Sequence, residues 1–323
     1  MELFCGERLE GSRSPVAPIA PWDSAVSSKR VVEKLLYLED KFAVSQDYFL
    51  TVQSEIKPHM RKVLAGWMME VAEEEHCEES VFLLALNLVD RFLSIVDVKK
   101  SQLQLIGCVT LLVASKMRQS RPLTVDRLVY FSDYSISASE IRAWEMVVLN
   151  VLEWNAENVL AIDYLASIFD EVVSPPSIPE VRRKACGILG LLSIENAFMY
   201  HKPSLLAAAC VGAAIKGFHW CRTLVYPDHH FDKLIVALSS IVNLKAETVV
   251  RCLMDIDALV TVPSSPYAAQ AKSSPPKPVP PSGNAFLNQE QSAANPADCT
   301  TPTNQEVVKF QPETPTDVQD VDF

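Results

Sequence analysis

The sequence predicts an all-α protein built from two similar five-helix units. Apolar residues recur at intervals of three and four from about Ser45 to Pro263, which is the period of an amphipathic helix. Only 9 of the 323 residues are glycine, so the chain lacks the turns that a protein of many short strands needs. Hydrophobic residues make up 49% of the chain, which is enough to form a substantial core.

Five helices are predicted in the first unit. The first begins near Pro58, since proline fits the first turn of a helix. Its apolar stripe contains Met60, Val63, Leu64, Trp67, Met68 and Val71. The other four are expected at about 79–95, 101–117, from 124 onward, and 138–154. Ser101 is the expected N-cap of the third, and Ser137 with Glu140 has capping-box spacing before the fifth.

The pattern begins again after Asn155, with helices expected at about 161–171, 181–200, 204–218, 231–240 and 246–259. Residues 103–116 and 203–216 are both apolar runs of small side chains that end in lysine. Such helices occupy the centre of a bundle because small side chains let neighbouring helices approach closely. We therefore divide the chain into a flexible N-terminal arm (1–44), a first fold (45–155), a second fold (156–262) and a disordered tail rich in Pro, Ser and Thr (263–323).

Charge and motif content argue against several classes of protein. The formal net charge of −11 and the lack of a basic patch argue against nucleic acid as a partner. The most apolar run, 103–114, is too short for a membrane span, and the amino terminus, with Glu2 and Glu7 and no continuous apolar stretch, does not fit a signal peptide. The eight cysteines form no C-x-x-C pair, which indicates free thiols in a reducing, intracellular compartment. No phosphate-binding glycine loop, zinc pattern or nucleophile elbow is present, so we expect no enzyme activity, metal or cofactor; the acidic stretch 73–79 is interpreted as a solvated helix end.

One carboxylate falls on an apolar helical stripe. In the helix over 138–154, Glu145 shares a face with Ile141 and Val148, which predicts that it is buried. A buried charge needs a cation or an N–H donor, and Lys116 is a candidate. Two interpretations remain open at this point: an internal ion pair, or a polar pair at an interface that reaches the backbone of a partner protein.

A second acid lies beside apolar side chains on the first helix. Glu70 follows Trp67 by three residues, and Met60 and Leu64 precede them on the same stripe. An exposed strip of this kind can receive a peptide that carries Leu and Arg, whereas an ordinary core face ending in a solvated acid explains the pattern equally well.

Both ends of the chain contain short motifs. Leu3, Cys5 and Glu7 form an L-x-C-x-E pattern in the arm, where an extended segment can add to a groove as a strand. In the tail, Thr314 precedes a proline and is a candidate for phosphorylation, with Thr301 as a competing site of the same type.

The run at 60–71, MRKVLAGWMMEV, resembles the cyclin box, together with LVDRFL at 88–93, LQL at 103–105, ASK at 114–116 and Glu145. The stretch IKPHM at 56–60, the L-x-C-x-E motif and the final TPTDVQDVD are similar to D-type cyclins in particular. Two departures from the family pattern are visible. The tail lacks a long acidic run before Thr314, and Ala65-Gly66 replaces larger or acidic residues.

The resemblance implies a regulatory subunit that activates a cyclin-dependent kinase and promotes passage from the first gap phase into S phase. It implies that Lys116 and Glu145 bind the kinase catalytic subunit, while Arg61 and Asp90 form a structural charge pair. The patch for substrates and kinase-inhibitor proteins would contain Met60, Val63, Leu64, Trp67, Glu70, Leu103 and Gln104.

The resemblance also assigns roles to the two ends of the chain. Leu3, Cys5 and Glu7 would bind retinoblastoma-type pocket proteins. Phosphorylation of Thr314 would promote nuclear export and recognition by a ubiquitin ligase, so the protein would shuttle between nucleus and cytoplasm. Two other classes were considered: a double helical repeat that grips DNA, which the net charge disfavours, and an enzyme, which the missing motifs disfavour.

Overall fold

The computed structural model describes residues 29–41, 47–173, 177–222 and 228–261, and these residues form helices and loops without a strand. This confirms the predicted all-α class. The first seven helices are α1 (Lys29–Leu38), α2 (Tyr48–Thr51), α3 (Pro58–Glu74), α4 (Glu79–Leu93), α5 (Leu103–Arg118), α6 (Val125–Phe131) and α7 (Ala138–Val151). The following five are α8 (Leu165–Val172), α9 (Ile178–Ile194), α10 (Pro203–Arg222), α11 (Asp228–Ile241) and α12 (Ala246–Thr261). Short 3₁₀ turns occupy Lys100–Gln102, Ala161–Tyr164 and Asn196–Phe198.

Two central helices organise the described residues. Helix α5 packs against α3, α4 and α7, and α10 packs against α8, α9, α11 and α12. A Cβ atom on Gly107 of α5 would lie 2.8 Å from Leu64 Cδ1, and one on Gly212 of α10 would lie 2.8 Å from Leu253 Cδ1. Both approaches are closer than a Cβ atom tolerates, so a larger residue at either position would require the leucine side chain to shift. The described residues fall in one compact unit that ends at Ser264, and the division near residue 155 stays a prediction.

Three local expectations differ from the structure. Ser101 lies in a 3₁₀ turn, so it is not the N-cap of α5, which begins at Leu103. The helix expected over 181–200 ends at Ile194, and a separate 3₁₀ turn follows it. Helices α1 and α2 were not predicted, and α1 lies within the range that was assigned to a flexible N-terminal arm.

A buried charge cluster joins α3 to α4 and to α9, which belongs to the second of the two helical folds (156–262, called the second repeat below; the first fold, 45–155, is the first repeat). Arg61 is 1% exposed and donates from Nε and Nη2 to the two carboxylate oxygens of Asp90, at 2.7 Å each. The Tyr48 hydroxyl donates to the same carboxylate at 2.8 Å. Arg61 Nη1 also donates to the carbonyls of Ser193 and Ile194, at 3.1 and 3.2 Å. Both carbonyls lie at the C-terminal end of α9, where no later N–H of the helix is available to donate to them. Arg61, on α3, therefore caps α9.

Helix α1 is attached to the second repeat by a second buried acid. Glu39 is 3% exposed and accepts hydrogen bonds from the Tyr164 hydroxyl, the Ser204 backbone N–H and the Ser204 hydroxyl, all at 3.0 Å. Burial, followed by the charge of Glu39, raises the pKa of Tyr164, which therefore stays a protonated donor. Ser204 lies in the first turn of α10, where a carboxylate is favoured by the helix dipole.

The described cysteines at positions 77, 108, 186, 210 and 252 carry free thiols. None of the described helices combines the length and hydrophobicity needed to cross a bilayer. Within the same residues, no cluster of His, Cys, Asp and Glu side chains is arranged to hold a metal ion.

Candidate functional site: an ion pair between α5 and α7

The candidate site lies where the last turn of α5 meets the middle of α7. Lys116 Nζ donates to Glu145 Oε1 at 2.5 Å. Lys116 occupies the carbonyl end of α5, where a cation is favoured by the helix dipole. The start of α7 is defined by a capping box, in which Ser137 Oγ accepts from the Glu140 N–H at 3.2 Å and the Glu140 carboxylate accepts from the Ser137 N–H at 2.8 Å. The cap sets where α7 begins and therefore which residues face α5.

The two side chains differ in exposure. Lys116 is 48% exposed and Glu145 is 17% exposed. Glu145 is therefore largely but not fully buried, whereas Ile141 and Val148 on the same face are buried. A helix face is broad, so the same sequence spacing fits a residue in its centre or at its border.

The ion pair has spare hydrogen-bonding capacity. An ammonium group has three donors and a carboxylate has about four acceptor positions, and the mutual bond uses one of each. Three large apolar side chains nearby in sequence are exposed: Met117 at 49%, Met146 at 47% and Val147 at 43%. A half-exposed donor and a partly exposed acceptor, on two helices that also expose apolar side chains, form a surface suited to another polypeptide.

The residues predicted for the docking patch lie on α3 and at the start of α5. Val63 and Glu70 are exposed, and Met60, Trp67 and Gln104 are half-buried. The other two, Leu64 and Leu103, are 5% and 8% exposed. The expected exposed strip of Met60, Leu64 and Trp67 was therefore wrong for Leu64.

Gly107 explains the burial of Leu64. A Cβ atom on Gly107 would lie 2.8 Å from Leu64 Cδ1 and 3.3 Å from the Trp67 ring. Leu64 and Trp67 therefore rest directly on the α5 backbone, and Leu64 contributes to the floor of the surface. Gly107 was not predicted as a site residue, although it lies in the small-residue run that indicated a central helix.

The second repeat contains an equivalent ion pair that the sequence analysis missed. Lys216 Nζ, in α10, lies 2.5 Å from Asp257 Oδ2, in α12. Their side chains are 45% and 40% exposed. Lys216 is the residue that ends the repeated run, so the match with Lys116 was visible in the sequence, whereas the acid partner was not.

The predicted residues at the ends of the chain lie outside the described residues. These are Leu3, Cys5 and Glu7 of the arm and Thr301 and Thr314 of the tail. Their roles stay predictions.

Comparison with known proteins identifies the fold and the relatives. The family model described as "Cyclin, N-terminal domain" matches residues 30–157. G1/S-specific cyclin-D3 of Bos taurus is 39% identical over 306 residues, which cover 94% of this chain and 98% of that protein. G1/S-specific cyclin-D1 of Canis lupus familiaris is 36% identical over 256 residues, which cover 79% of this chain and 85% of that protein. The solved structure of a viral cyclin from Herpesvirus saimiri has a TM-score of 0.64 at 24% identity and covers 74% of this chain and 100% of its own.

The twin helical repeats and the N-terminal family match define a cyclin, and the viral cyclin has the same fold. The relatives that match over most of the chain are all cyclins of one type, the D type. The chain belongs to the D-type cyclins. It is therefore a G1/S cyclin, a regulatory subunit of cyclin-dependent kinases without catalytic activity of its own.

Proposed function

We propose that Lys116 and Glu145 form the polar centre of the surface that binds the catalytic subunit of the kinase. The observation that carries this proposal is the ion pair, 2.5 Å long, between the half-exposed Lys116 and the partly exposed Glu145, on two helices that also expose Met117, Met146 and Val147. The ammonium and the carboxylate can bind main-chain carbonyl and N–H groups at the end of a kinase helix.

Binding at this surface activates the kinase by selecting one of its conformations. The resemblance to cyclins implies that the bound element is the kinase's regulatory helix, which carries the Glu of the kinase's own Lys–Glu ion pair. If the cyclin surface fits only the inward position of that helix, binding shifts the kinase toward the state with an assembled phosphoryl-transfer site and a freed activation loop.

The test is co-purification of the kinase with variants of the full chain, with circular dichroism as the check on folding. We expect Lys116→Glu and Glu145→Ala to remove kinase binding and activation while leaving the helical signal unchanged. Lys216→Glu is the matched control, because it breaks an ion pair of the same length in the second repeat. Kinase binding retained by both Lys116→Glu and Glu145→Ala contradicts the proposal.

The docking role belongs to the surface on α3 and α5. Met60, Val63, Trp67 and Gln104 provide accessible apolar and polar contacts, and Glu70 provides a carboxylate for an arginine. Leu64 and Leu103 contribute from below, as the floor on which a ligand's leucine rests. Substrates and kinase-inhibitor proteins are the proposed ligands of this surface.

A peptide that carries Arg and Leu tests the docking role by fluorescence anisotropy. Glu70→Ala is expected to weaken its binding about fivefold, because an exposed ion pair contributes up to about 1 kcal/mol. Glu33→Ala, which removes an exposed acid on α1, provides the control. Equal effects of the two variants contradict the docking role of Glu70.

The arm directs the kinase to retinoblastoma-type pocket proteins through Leu3, Cys5 and Glu7. An amino-terminal peptide is expected to bind a pocket-protein fragment and to lose binding when Cys5 and Glu7 are replaced by alanine. Equal affinity of the wild-type and doubly substituted peptides indicates an accidental motif.

The tail controls the amount and the location of the protein through phosphorylation of Thr314, export from the nucleus and recognition by a ubiquitin ligase. Thr314→Ala is expected to lengthen the cellular half-life and to retain the protein in the nucleus. Thr301→Ala is the matched control, since it removes the competing Thr-Pro site. A half-life changed only by Thr301→Ala transfers the signal to that site.

A further inference from the structure

A cleft of about 250 Å³ lies between α3, α4 and α9, and none of the residues in the sites above lines it. It is bounded by the second half of α3, the first half of α4 and the middle of α9. Its apolar lining consists of Met69, Ala72, Phe82, Leu83, Cys186 and Gly190. The cleft thus has one wall from each of the two repeats.

Two glycines of α9 produce the opening. A Cβ atom on Gly190 would lie 3.1 Å from Met69 Cε, so α9 and α3 are in contact there. A Cβ atom on Gly187 would have no neighbour within 4 Å. Gly187 precedes Gly190 by about one turn, so the helices touch at one level and leave open space at the next.

The interior of the cleft is apolar and its rim is acidic. Burial raises the pKa of both thiols that line it, Cys77 and Cys186, to about 11, so both are neutral at pH 7. Glu73, Glu78 and Glu79 line its outer edge and are exposed.

The acids at the rim outnumber the cations. Arg183 is the single basic residue among the described residues that line the cleft. None of the three glutamates forms an ion pair with another described residue. An apolar opening with unneutralised acids around it favours a ligand that is apolar at one point and basic beside it.

We propose that this cleft binds a linear segment of a partner protein that inserts an aliphatic or aromatic side chain and places Arg or Lys against Glu73, Glu78 and Glu79. The volume supports a peptide, since pockets for whole small molecules begin at about 300 Å³ and this one holds one or two side chains. The cleft shares no lining residue with the proposed kinase and docking surfaces.

The chain's own C-terminal end is a poor occupant. After Lys309 it contains the acids Glu313, Asp317, Asp320 and Asp322 and no basic residue. The acidic rim repels such a segment, which disfavours it as the occupant and favours a basic segment of another protein.

Selection of displayed random decapeptides on the immobilised full chain tests the proposal. Excess soluble Gly187→Leu chain serves as competitor and removes peptides that bind outside the cleft. A leucine at this open helical position fills the cleft, and it also improves helix propensity, so the variant is expected to fold. We expect the selected peptides to share a large apolar residue next to Arg or Lys. Failure to obtain peptides that prefer the wild-type chain contradicts the proposal.

The affinity of a selected peptide is then measured against variant chains. Gly187→Leu is expected to weaken it at least about tenfold, and Gly217→Leu, at an equally open helical glycine outside the cleft, to change it less than about twofold. The charge reversal Glu73→Lys with Glu78→Lys is expected to weaken it about tenfold. Asp170→Lys with Glu171→Lys is its control, since both acids are exposed on α8.

Three outcomes overturn the assignment. One is selected peptides rich in Asp and Glu, and another is equal loss of affinity in the rim variant and the α8 control. The third is self-association of the wild-type chain in sedimentation experiments that Gly187→Leu abolishes, which would make the cleft a contact between two copies. Trp67→Ala is expected to leave the peptide's affinity unchanged, so the result is independent of the docking surface on α3.

Discussion

Removal of the Arg61 guanidinium tests how the two repeats are held together. The variant Arg61→Met keeps a side chain of similar length but leaves the Asp90 carboxylate, which is 5% exposed, with the Tyr48 hydroxyl as its remaining partner among the groups described above. It also removes the donor to the carbonyls of Ser193 and Ile194. Loss of one partner of a buried ion pair costs about 3–5 kcal/mol, and the bidentate geometry at 2.7 Å places this pair in that range.

The neighbouring residue provides a matched control. Lys62→Met removes an ion pair of 2.6 Å with Glu195, but those side chains are 38% and 26% exposed. Solvent screening limits such a pair to about 0.2–1 kcal/mol. The two substitutions therefore separate burial from the mere presence of an ion pair.

Urea unfolding followed by circular dichroism measures both variants. We expect Arg61→Met to lower the free energy of unfolding by at least about 3 kcal/mol and Lys62→Met by less than about 1 kcal/mol. The double variant Arg61→Met with Asp90→Leu is expected to lose less than the sum of its single changes, since it leaves no unpaired buried carboxylate. If Arg61→Met and Lys62→Met cost the same, the buried cluster does not hold the repeats as described.

Three further predictions concern helix packing and helix ends. In thermal unfolding, Gly66→Ala is expected to stabilise the chain by about 0.5–1 kcal/mol, because its Cβ atom meets open space. Gly107→Ala is expected to destabilise it by about 1–3 kcal/mol, because its Cβ atom would lie 2.8 Å from Leu64 Cδ1. The reverse order of stabilities contradicts the packing of α3 on α5. Hydrogen bonds from Ser137 lower the folded-state pKa of Glu140. The stability advantage of wild type over Glu140→Gln is therefore present at pH 7 and is lost as the pH falls below the unfolded-state pKa of about 4.3. An advantage that grows in acid refutes the capping box. Glu39→Gln is expected to cost about 1–3 kcal/mol and to speed hydrogen exchange in residues 29–38, whereas unchanged exchange there shows that α1 is held by other contacts.

Helix periodicity in the sequence was sufficient to predict α3 to α12, because each has an apolar face, whereas α2, a single turn of four residues, was not predicted. Helix α1 was missed because its attachment to the rest of the chain is not local. Glu39 reaches Tyr164 and Ser204, more than a hundred residues further along the chain. A carboxylate next to a short helix gives no sign in sequence that it will be buried against a distant helix end. Ser101 was assigned as an N-cap by residue type alone, and the 3₁₀ turn over Lys100–Gln102 places the N-cap of α5 at Gln102 instead.

The candidate site was predictable to the level of residues but not of exposure. The position of Glu145 on a stripe and of Lys116 at a helix end was enough to suggest their pairing, which the structure shows at 2.5 Å. Whether Glu145 lies in the centre of a face or at its edge depends on the angle between α5 and α7. In the same way, the burial of Leu64 depends on how closely α3 approaches Gly107. Both are properties of packing between helices, which one-dimensional periodicity does not contain.

The affinity of the kinase catalytic subunit for a charge-exchanged chain, Lys116→Glu with Glu145→Lys, tests the central claim most directly. The exchange keeps an ion pair between α5 and α7, so the free energy of unfolding is expected to stay within about 1 kcal/mol of wild type. It also places a donor at position 145, where the wild-type chain offers an acceptor to the kinase backbone, and an acceptor at position 116, where the wild-type chain offers a donor. We therefore expect the dissociation constant, measured by calorimetry, to rise at least about thirtyfold. Wild-type affinity in the exchanged chain would show that the pair serves the fold alone and that the kinase binds elsewhere.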